Sequence, residues 1–163
     1  MFYIIIGQSG GGKTTFTREH FLKEPCEIYE DIIPLTRSGD ILALGKYGIG
    51  KRTEGTDTLP YNAAPKIRKQ LKRLKGKDVV LEGDRINNPD MFRYIESLGE
   101  PVKLYLVTCS LKTSMKRLRA AGSTITLPFV KATKSKARNN FLQFGERFNG
   151  EIISTEGGEG IGV

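Results

Sequence analysis

Residues 7–14 read Gly-Gln-Ser-Gly-Gly-Gly-Lys-Thr, directly after the apolar run 2–6 and before a helical pattern that begins at Thr14. The spacing Gly-x-x-x-x-Gly-Lys-Thr between a strand and a helix predicts a P-loop, in which consecutive backbone N–H groups surround phosphate oxygens. The helix that follows directs its positive N-terminal end at the same phosphates. The stretch therefore predicts a nucleoside triphosphate site, formed by Gly7, Ser9, Gly10, Gly11, Gly12, Lys13, Thr14 and Thr15.

Two side chains of this stretch have predicted roles of their own. Lys13 is expected to reach the outer phosphates of ATP and is our first catalytic residue. Thr14 is expected to bind Mg²⁺ through its hydroxyl group. The cofactors predicted from the sequence are therefore ATP and Mg²⁺.

Length and composition predict one domain covering residues 1–163, large enough to bury a core without disulfides or structural metal. Cys26 and Cys109 lie in apolar stretches without a nearby Cys or His partner, which argues against a zinc site or a redox pair. No stretch approaches the length of a membrane span, and Met1 stands almost on the first strand, with no room for a signal peptide. We therefore expect a cytoplasmic protein, in the host cytoplasm if it is viral, without membrane contact. The sequence does not indicate an oligomeric state.

The formal net charge of +8 is concentrated in one helical segment. Its apolar positions Ile67, Leu71 and Leu74 follow a helical period, so one face is expected to pack inward and the other to be basic. A basic face suits a polyanionic partner such as DNA, although charge runs also occur on plain solvated helices. The basic residues of the segment are Lys66, Arg68, Lys69, Lys72, Arg73, Lys75 and Lys77.

Short apolar runs alternate with helical patterns along the chain. Strands are predicted at 2–6, 27–29, 79–81, 103–107 and 151–153. Helices are predicted at about 14–22, 64–74, 89–97, 111–120 and 131–143. The alternation predicts an α/β, three-layer P-loop NTPase fold, with a parallel sheet of about five strands flanked by helices and the ligand at its carboxyl end.

Three stretches fall outside this alternation. The Gly-rich stretch 32–62 is too long for a plain connection, so we interpret it as an acceptor-binding insertion that contains a small strand and turn near Ile41. Residues 121–130 stand where a closing lid is expected, and residues 157–163 are expected to form a loose tail.

Acidic residues follow the third predicted strand, which ends Leu81-Glu82-Gly83-Asp84-Arg85. If the extended geometry continues, Glu82 and Asp84 point to the same side and bind Mg²⁺ together with Thr14. The alternative is that one of the two carboxylates only caps a turn or pairs with Arg85.

Phosphoryl transfer also requires a carboxylate near the acceptor hydroxyl and positive charge near the migrating group. Asp57, in the turn Gly55-Thr56-Asp57, is our first candidate for the base, and Asp31 is the second. Either could be only a turn residue. Arg117, on the helix before the predicted lid, is the candidate for contact with the migrating phosphoryl group.

The order of these motifs resembles the small-molecule and nucleotide kinases over nearly the whole chain. More narrowly, Leu44-Gly45-Lys46-Tyr47, Gly55-Thr56-Asp57 and the Leu81–Arg85 motif are similar to phage P-loop kinases of 5-hydroxymethyl pyrimidines in DNA. This resemblance implies ATP-dependent transfer of the γ-phosphate to the base hydroxymethyl group of 5-hydroxymethyluracil or 5-hydroxymethylcytosine, with DNA as the partner. One departure is Thr58, which follows Asp57 where the family has a basic residue.

The acceptor contacts that follow from this resemblance involve Asp57, Arg85 and two tyrosines. A target base in a duplex must be flipped out to reach Asp57 or Asp31, and Tyr47 and Tyr61 are candidates to stack on it. Two other functions stay open: a kinase of a free nucleotide, nucleoside or other small metabolite, and a nucleic-acid-binding ATPase.

Overall fold

The computed structural model describes residues 1–48 and 54–157. The described strands are β1 (Phe2–Ile6), β2 (Cys26–Glu30), β3 (Pro34–Ser38), β4 (Ile41–Leu44), β5 (Asp78–Glu82), β6 (Val102–Thr108) and β7 (Glu151–Ser154). The α-helices in the same ranges are α1 (Lys13–Phe21), α2 (Ala64–Arg73), α3 (Pro89–Ser97), α4 (Leu111–Ala120) and α5 (Leu127–Phe144). Short 3₁₀ turns lie at Thr56–Thr58 and Asp84–Ile86.

The strands form one sheet in the order β2-β3-β4-β5-β1-β6-β7. Strands β4, β5, β1, β6 and β7 are parallel, and β2 and β3 extend the sheet in antiparallel pairing beyond β4. The predicted α/β fold with a parallel sheet between helices is confirmed, but the described sheet has seven strands rather than about five.

The prediction for the second parallel strand was wrong. The stretch 27–29 lies in β2, an edge strand that pairs only with β3, whereas the parallel neighbour of β5 is β4. Both β3 and β4 lie in the stretch 32–62, so the first part of the predicted insertion belongs to the sheet. The local pattern does not reveal these strands, because β3 and β4 are short and only two residues separate them, with Gly39 at a φ of 58° in the turn.

Two hydrophobic clusters lie on opposite faces of the sheet. Alternate residues of β1 point to opposite faces, so Phe2 and Ile4 pack with α2, α3 and α5, while Ile5 packs with Phe16 of α1. Since β1 is flanked by β5 and β6, the loop that follows it lies at the centre of the carboxyl edge of the parallel strands. Ligands of open α/β sheets bind at this edge.

The predicted lid, 121–130, consists of a loop between α4 and α5 and the first turn of α5. Helix α5 begins at Leu127, earlier than predicted, because Pro128 stands in its first turn, where its missing N–H costs nothing. Arg119 donates to the backbone oxygens of Ser123 and Ile125 at 2.8 and 3.0 Å and so fixes the loop.

Two predicted features extend beyond the described part of the chain. Residues 49–53 of the predicted insertion and residues 158–163 of the predicted tail lie outside the described residues. Within the described ranges, no helix combines the length and the apolar character needed to cross a membrane.

Candidate active site

The P-loop runs from Gly7 to Thr14, between β1 and α1, and the ends of neighbouring strands hold its backbone. The side-chain amide of Gln8 donates to the backbone oxygen of Cys109 at 2.6 Å, and Thr108 donates back to the Gln8 side chain at 3.0 Å. The Thr155 hydroxyl, just after β7, donates to the Gly11 carbonyl at 2.7 Å. The loop is therefore organised by contacts that do not depend on a bound phosphate.

The other predicted phosphate-binding residues lie in the same loop or in the first turn of α1. Lys13 Nζ donates to the backbone oxygens of Gly7 and Gln8, both at 3.0 Å, so its ammonium group lies inside the loop. The Ser9 amide donates to Thr133 Oγ1 of α5 at 3.1 Å. Gly10 and Gly12 have φ angles of 74° and 93°, and Thr15 lies in the first turn of α1.

Arg117 lies beneath the P-loop, not over it as predicted. It is buried and donates to the Gly10 carbonyl at 3.4 Å and to the backbone oxygen of Thr155 at 2.5 Å. Its guanidinium group thus joins the P-loop to the segment that follows β7. The lid loop contributes Ser123, Thr124 and Ile125 to the cavity above the P-loop, and no arginine is among the described residues that line it.

This cavity, of about 350 Å³, brings together several predicted residues from distant parts of the sequence. Lys13 and Thr14 of the P-loop line it together with Asp57 and Glu82. The remaining lining residues include Glu54, which the sequence analysis did not single out.

Glu82 ends β5 and is 2% exposed. One carboxylate oxygen accepts from the Thr14 hydroxyl at 3.1 Å, and the other accepts from the Tyr47 hydroxyl at 2.6 Å. Burial raises the pKa of Glu82 to about 7, against the opposing effects of the Lys13 ammonium group and the hydrogen bond from Tyr47. Burial therefore favours the neutral form of Glu82 more than in an exposed glutamate, unless a cation binds beside it.

The oxygen atoms of Thr14 and Glu82 fit a Mg²⁺ ion. Mg²⁺ prefers hard oxygen donors and is commonly bound by one or two carboxylates together with substrate phosphates. Here a hydroxyl and a carboxylate lie within hydrogen-bond distance of each other at the mouth of the P-loop. In the described ranges no group of three His, Cys, Asp or Glu side chains could hold a metal ion, so these two donors and the phosphates would have to suffice.

Asp84 lies apart from this pair, contrary to the prediction that it points to the same side as Glu82. Strand β5 ends at Glu82, and Gly83, at a φ of 129°, turns the chain into the 3₁₀ turn Asp84–Ile86. The alternation of the strand is lost there, and the Asp84 carboxylate pairs with Lys136 of α5 at 3.1 Å.

Tyr47 also differs from its predicted role. Its side chain is 2% exposed, so its ring faces are not available to stack on a substrate base. Instead, its hydroxyl group donates to Glu82, and burial raises the pKa of Tyr47 well above its usual value. Tyr47 therefore orients the Glu82 carboxylate through a buried hydrogen bond and does not itself line the cavity.

Asp57 lies in the 3₁₀ turn Thr56–Thr58 and opens into the cavity. Its Oδ1 accepts from the Asp84 amide at 2.8 Å and lies 3.7 Å from Arg85 Nη1. Two neighbours thus orient the carboxylate group, and its side chain stays 29% exposed. Arg85 also donates to the Leu59 carbonyl at 3.2 Å, so it supports the turn from outside the cavity.

Two glycines allow the Asp57 turn to lie against Glu82. A Cβ atom on Gly55 would lie 2.6 Å from the Tyr47 hydroxyl and 2.7 Å from Glu82 Oε2. A Cβ atom on Gly83 would lie 2.5 Å from Thr56 Oγ1 and 3.0 Å from Asp57 Oδ1. Both φ angles are positive, 68° and 129°, so other residues would also be strained there.

The second predicted base, Asp31, is held elsewhere. It lies in the turn between β2 and β3, where its carboxylate accepts from the Gln70 side chain at 3.2 Å and lies 3.6 Å from Arg73. Both partners belong to α2, and Asp31 is not among the residues that line the cavity. The structure therefore brings Asp57, but not Asp31, to the phosphate-binding residues.

Glu54 is a buried carboxylate that the sequence analysis missed. It is 7% exposed, accepts from the Gly48 amide at 2.9 Å and pairs with Arg18 of α1. Its position just before Gly55-Thr56-Asp57 was visible in the sequence, but its partner on α1 is far away along the chain. Glu54 ties the turn that carries Asp57 to the helix that carries Lys13.

A central, mostly parallel sheet with a P-loop after β1 and the Thr14–Glu82 pair beside it defines a P-loop NTPase-type α/β domain. No protein-family model matches the sequence, and no curated protein matches it. Among solved structures, deoxyadenosine kinase from M. mycoides with the products dCMP and a flexible dCDP bound is similar, at 17% identity and a TM-score of 0.51. The match covers 96% of this chain and 91% of that chain.

A second structure of the M. mycoides deoxyadenosine kinase, with bound dATP, matches at 16% identity and a TM-score of 0.50, over 96% of this chain and 92% of that one. At this level of identity the likeness establishes the fold. The chain therefore has the fold of a P-loop kinase.

Proposed function

We propose that this protein is an ATP-dependent kinase that transfers the γ-phosphate to a hydroxyl group of a nucleoside or nucleotide. The observation that carries the proposal is that Lys13, Thr14, Asp57 and Glu82 line one and the same cavity. Phosphoryl transfer needs phosphate binding, charge stabilisation and an oriented acceptor hydroxyl, and these side chains are suited to the three tasks.

Each residue has a specific part in the proposed reaction. The P-loop amides and Lys13 bind the phosphates of ATP, and Thr14 with Glu82 would hold Mg²⁺. When bound, Mg²⁺ neutralises negative charge on the phosphates. Asp57 accepts a hydrogen bond, and then the proton, from the acceptor hydroxyl, while the Asp84 amide and Arg85 hold its carboxylate in place.

The class of acceptor is supported by the likeness to solved structures. The similar M. mycoides proteins are deoxyadenosine kinases, observed with dATP or with dCMP and dCDP. A free nucleoside or nucleotide is therefore our leading acceptor, in place of the modified DNA that the sequence motifs favoured.

A kinase of 5-hydroxymethyl pyrimidines in DNA is the second candidate, and one observation favours it. The side chains of Lys66, Lys69, Lys72 and Lys75 are exposed on and just after α2, the helix that follows the Asp57 turn. A polynucleotide acceptor would gain affinity from such a face, since phosphate contacts fix the position of a protein on DNA.

Transfer of label from γ-labelled ATP tests both candidates. The acceptors are free deoxynucleosides, deoxynucleoside monophosphates, 5-hydroxymethyl-2′-deoxyuridine, and oligonucleotides with and without 5-hydroxymethyluracil or 5-hydroxymethylcytosine. We expect label in at least one free nucleoside or nucleotide, and no label with Lys13→Ala. Label in hydroxymethyl DNA alone would replace the leading acceptor by the second candidate.

A second readout of the same reactions separates transfer from hydrolysis. Free phosphate that is released only with DNA, without a labelled acceptor, would support a nucleic-acid-binding ATPase and contradict both kinase assignments. The dependence on salt adds a further distinction, because transfer to DNA weakens steeply as salt rises whereas transfer to a free nucleoside changes little.

A further inference from the structure

We propose that Tyr61 is a stacking platform for a nucleobase, so that the kinase recognises its acceptor through a planar base held beside Asp57. The inference rests on the proposed kinase function and names the part of the acceptor that the chain recognises. Among the described residues, Tyr61 is the most exposed large hydrophobic side chain, at 90%. An aromatic ring is thus open to solvent next to the turn that carries Asp57.

Arg85 connects this ring to the cavity. Its guanidinium carbon lies 3.9 Å from the centroid of the Tyr61 ring, a cation–π contact. The same guanidinium group lies 3.7 Å from Asp57 Oδ1, and its Nε atom donates to the Leu59 carbonyl at 3.2 Å. Because Arg85 is only 16% exposed, it supports the ring from a fixed position.

One guanidinium group links the exposed ring to the candidate catalytic base. The Tyr61 ring and the Asp57 carboxylate contact one and the same guanidinium group. Because Arg85 covers one face of the Tyr61 ring, the base stacks on the open face, and the acceptor hydroxyl, on the attached sugar or on a base substituent, extends past the ring edge toward Asp57. Aromatic side chains bind bases in this way with little sequence preference, since every base has a π-face.

Helix α5 carries a second exposed aromatic ring near the P-loop. Thr133 accepts from the Ser9 amide of the P-loop, and Lys136 pairs with Asp84 beside Asp57. Phe129 precedes these residues by four and seven positions, so it lies on the same face of the helix. It is 51% exposed, which places a second open aromatic ring on the side that faces the strand ends.

The chain contains no tryptophan, so Tyr61→Trp introduces a single indole as a reporter of stacking. We would titrate this variant with thymidine, deoxyadenosine and 5-hydroxymethyl-2′-deoxyuridine, and with 2-deoxyribose 5-phosphate as a ligand without a base. We expect saturable quenching of the fluorescence by at least one nucleoside and none by the sugar phosphate. Absence of quenching by every nucleoside, or equal quenching by the sugar phosphate, would overturn the proposal.

Tyr29 offers a control at a half-buried ring, because Arg37 lies 5.2 Å from its ring at the far edge of the sheet. Tyr29→Trp places the same reporter beside a cation but away from the cavity, and no nucleoside should quench it. Equal quenching of both variants would show that the nucleosides quench indole fluorescence by random collisions in solution and not by binding at Tyr61.

Steady-state kinetics with the acceptor that the protein phosphorylates give an independent test of the role of Tyr61. We expect Tyr61→Ala to raise the KM for the acceptor by about tenfold while the KM for ATP stays the same, and Tyr61→Phe to behave like the unchanged protein. If Tyr61→Ala transfers phosphate with an unchanged KM for the acceptor, the proposed stacking role of Tyr61 is wrong, but the proposed kinase function is not contradicted. If the unchanged protein transfers no phosphate to any acceptor, the proposed function fails, and the fluorescence titration still decides whether Tyr61 binds a base.

Discussion

At the scale of single residues, two of the three carboxylates that line the cavity, Asp57 and Glu82, lie in different surroundings. Asp57 is partly exposed and contacts a guanidinium group and a backbone amide. Glu82 is buried and contacts two hydroxyl groups, and its pKa is raised to about 7. Asp57 is suited to contact an acceptor that enters from solvent, whereas Glu82 is suited to stabilise a cation inside the site.

Asp57→Asn should lower kcat by about a hundredfold or more, since a positioned general base typically contributes factors of this size. The KM for ATP should stay within about twofold, because the P-loop contacts do not involve Asp57. Steady-state kinetics with the acceptor found by label transfer measure both constants.

Asp31→Asn is the matched control for this prediction. Asp31 contacts Gln70 and Arg73 and does not line the cavity, so its loss should change stability more than activity. An active Asp57→Asn variant together with an inactive Asp31→Asn variant would reverse our assignment of the base.

The raised pKa of Glu82 predicts how stability depends on pH. The folded protein holds the Glu82 proton up to about pH 7, whereas the unfolded chain releases it near the ordinary value of 4.5. The folded state therefore binds more protons between these pH values, and the contribution of Glu82 to stability is lost as pH rises from 4.5 to 7. Glu82→Gln cannot ionise and should not show this loss.

Urea unfolding without Mg²⁺ or nucleotide measures the difference. At pH 8, Glu82→Gln should be more stable than the unchanged protein by up to about 3 kcal/mol, and near pH 4 the two should be similar. Glu96→Gln, at an exposed carboxylate that pairs with Arg147, should show no comparable dependence. Parallel pH profiles for Glu82→Gln and the unchanged protein would contradict the raised pKa.

At the scale of structural elements, the site depends on the close approach of the Asp57 turn to the end of β5. The Thr56 hydroxyl donates to the Glu82 carbonyl at 2.8 Å, and Gly55 and Gly83 leave no room for a side chain between the two segments. A substitution in this contact should therefore change stability and catalysis together.

Gly55→Ala tests this contact, with Gly76→Ala as its control. Both glycines have positive φ angles, 68° and 83°, but an added Cβ on Gly76 has no neighbour within 4 Å. Backbone strain should cost about 1 kcal/mol in each variant, and the clash with Tyr47 and Glu82 should cost Gly55→Ala about 1–3 kcal/mol more. Chemical denaturation measures both costs, and equal losses in the two variants would argue against the close approach.

At the scale of the whole molecule, the formal net charge of +8 includes a basic face on α2 that lies apart from the cavity. The exposed lysines of α2 lie on the helix after the Asp57 turn, but none of them lines the cavity. The basic face can therefore bind a long polyanion such as DNA without changing phosphate transfer to a small acceptor in the cavity.

Reversal of this charge separates the two proposed acceptors. The triple variant Lys66→Glu, Lys69→Glu, Lys72→Glu should phosphorylate a free nucleoside within about twofold of the unchanged rate, because the cavity is intact. If DNA is the acceptor, transfer should instead fall by about tenfold or more at low salt. Loss of transfer to a free nucleoside, with the fold intact by circular dichroism, would contradict our placement of the acceptor.

Comparison of sequence and structure at this scale shows which features were predictable. The P-loop and four of the five parallel strands follow from local patterns, since Gly spacing, alternating apolar residues and Pro at helix starts act over a few residues. Strand β4 was not recognised as a core strand, because a run of four residues shows no clear period. Asp84 was placed wrongly, because the sequence does not reveal where β5 stops.

The amino-acid sequence by itself determined the phosphate site, because that site is built from consecutive residues whose backbone and side chains act locally. The proposed acceptor side was decided only by the tertiary structure, since Glu54, Asp57, Glu82 and Arg85 meet through packing across the end of the sheet. The same packing buried Tyr47, placed Arg117 beneath the P-loop and left Tyr61 exposed. Burial and long-range pairing depend on which strands are neighbours, and local sequence does not encode that order directly.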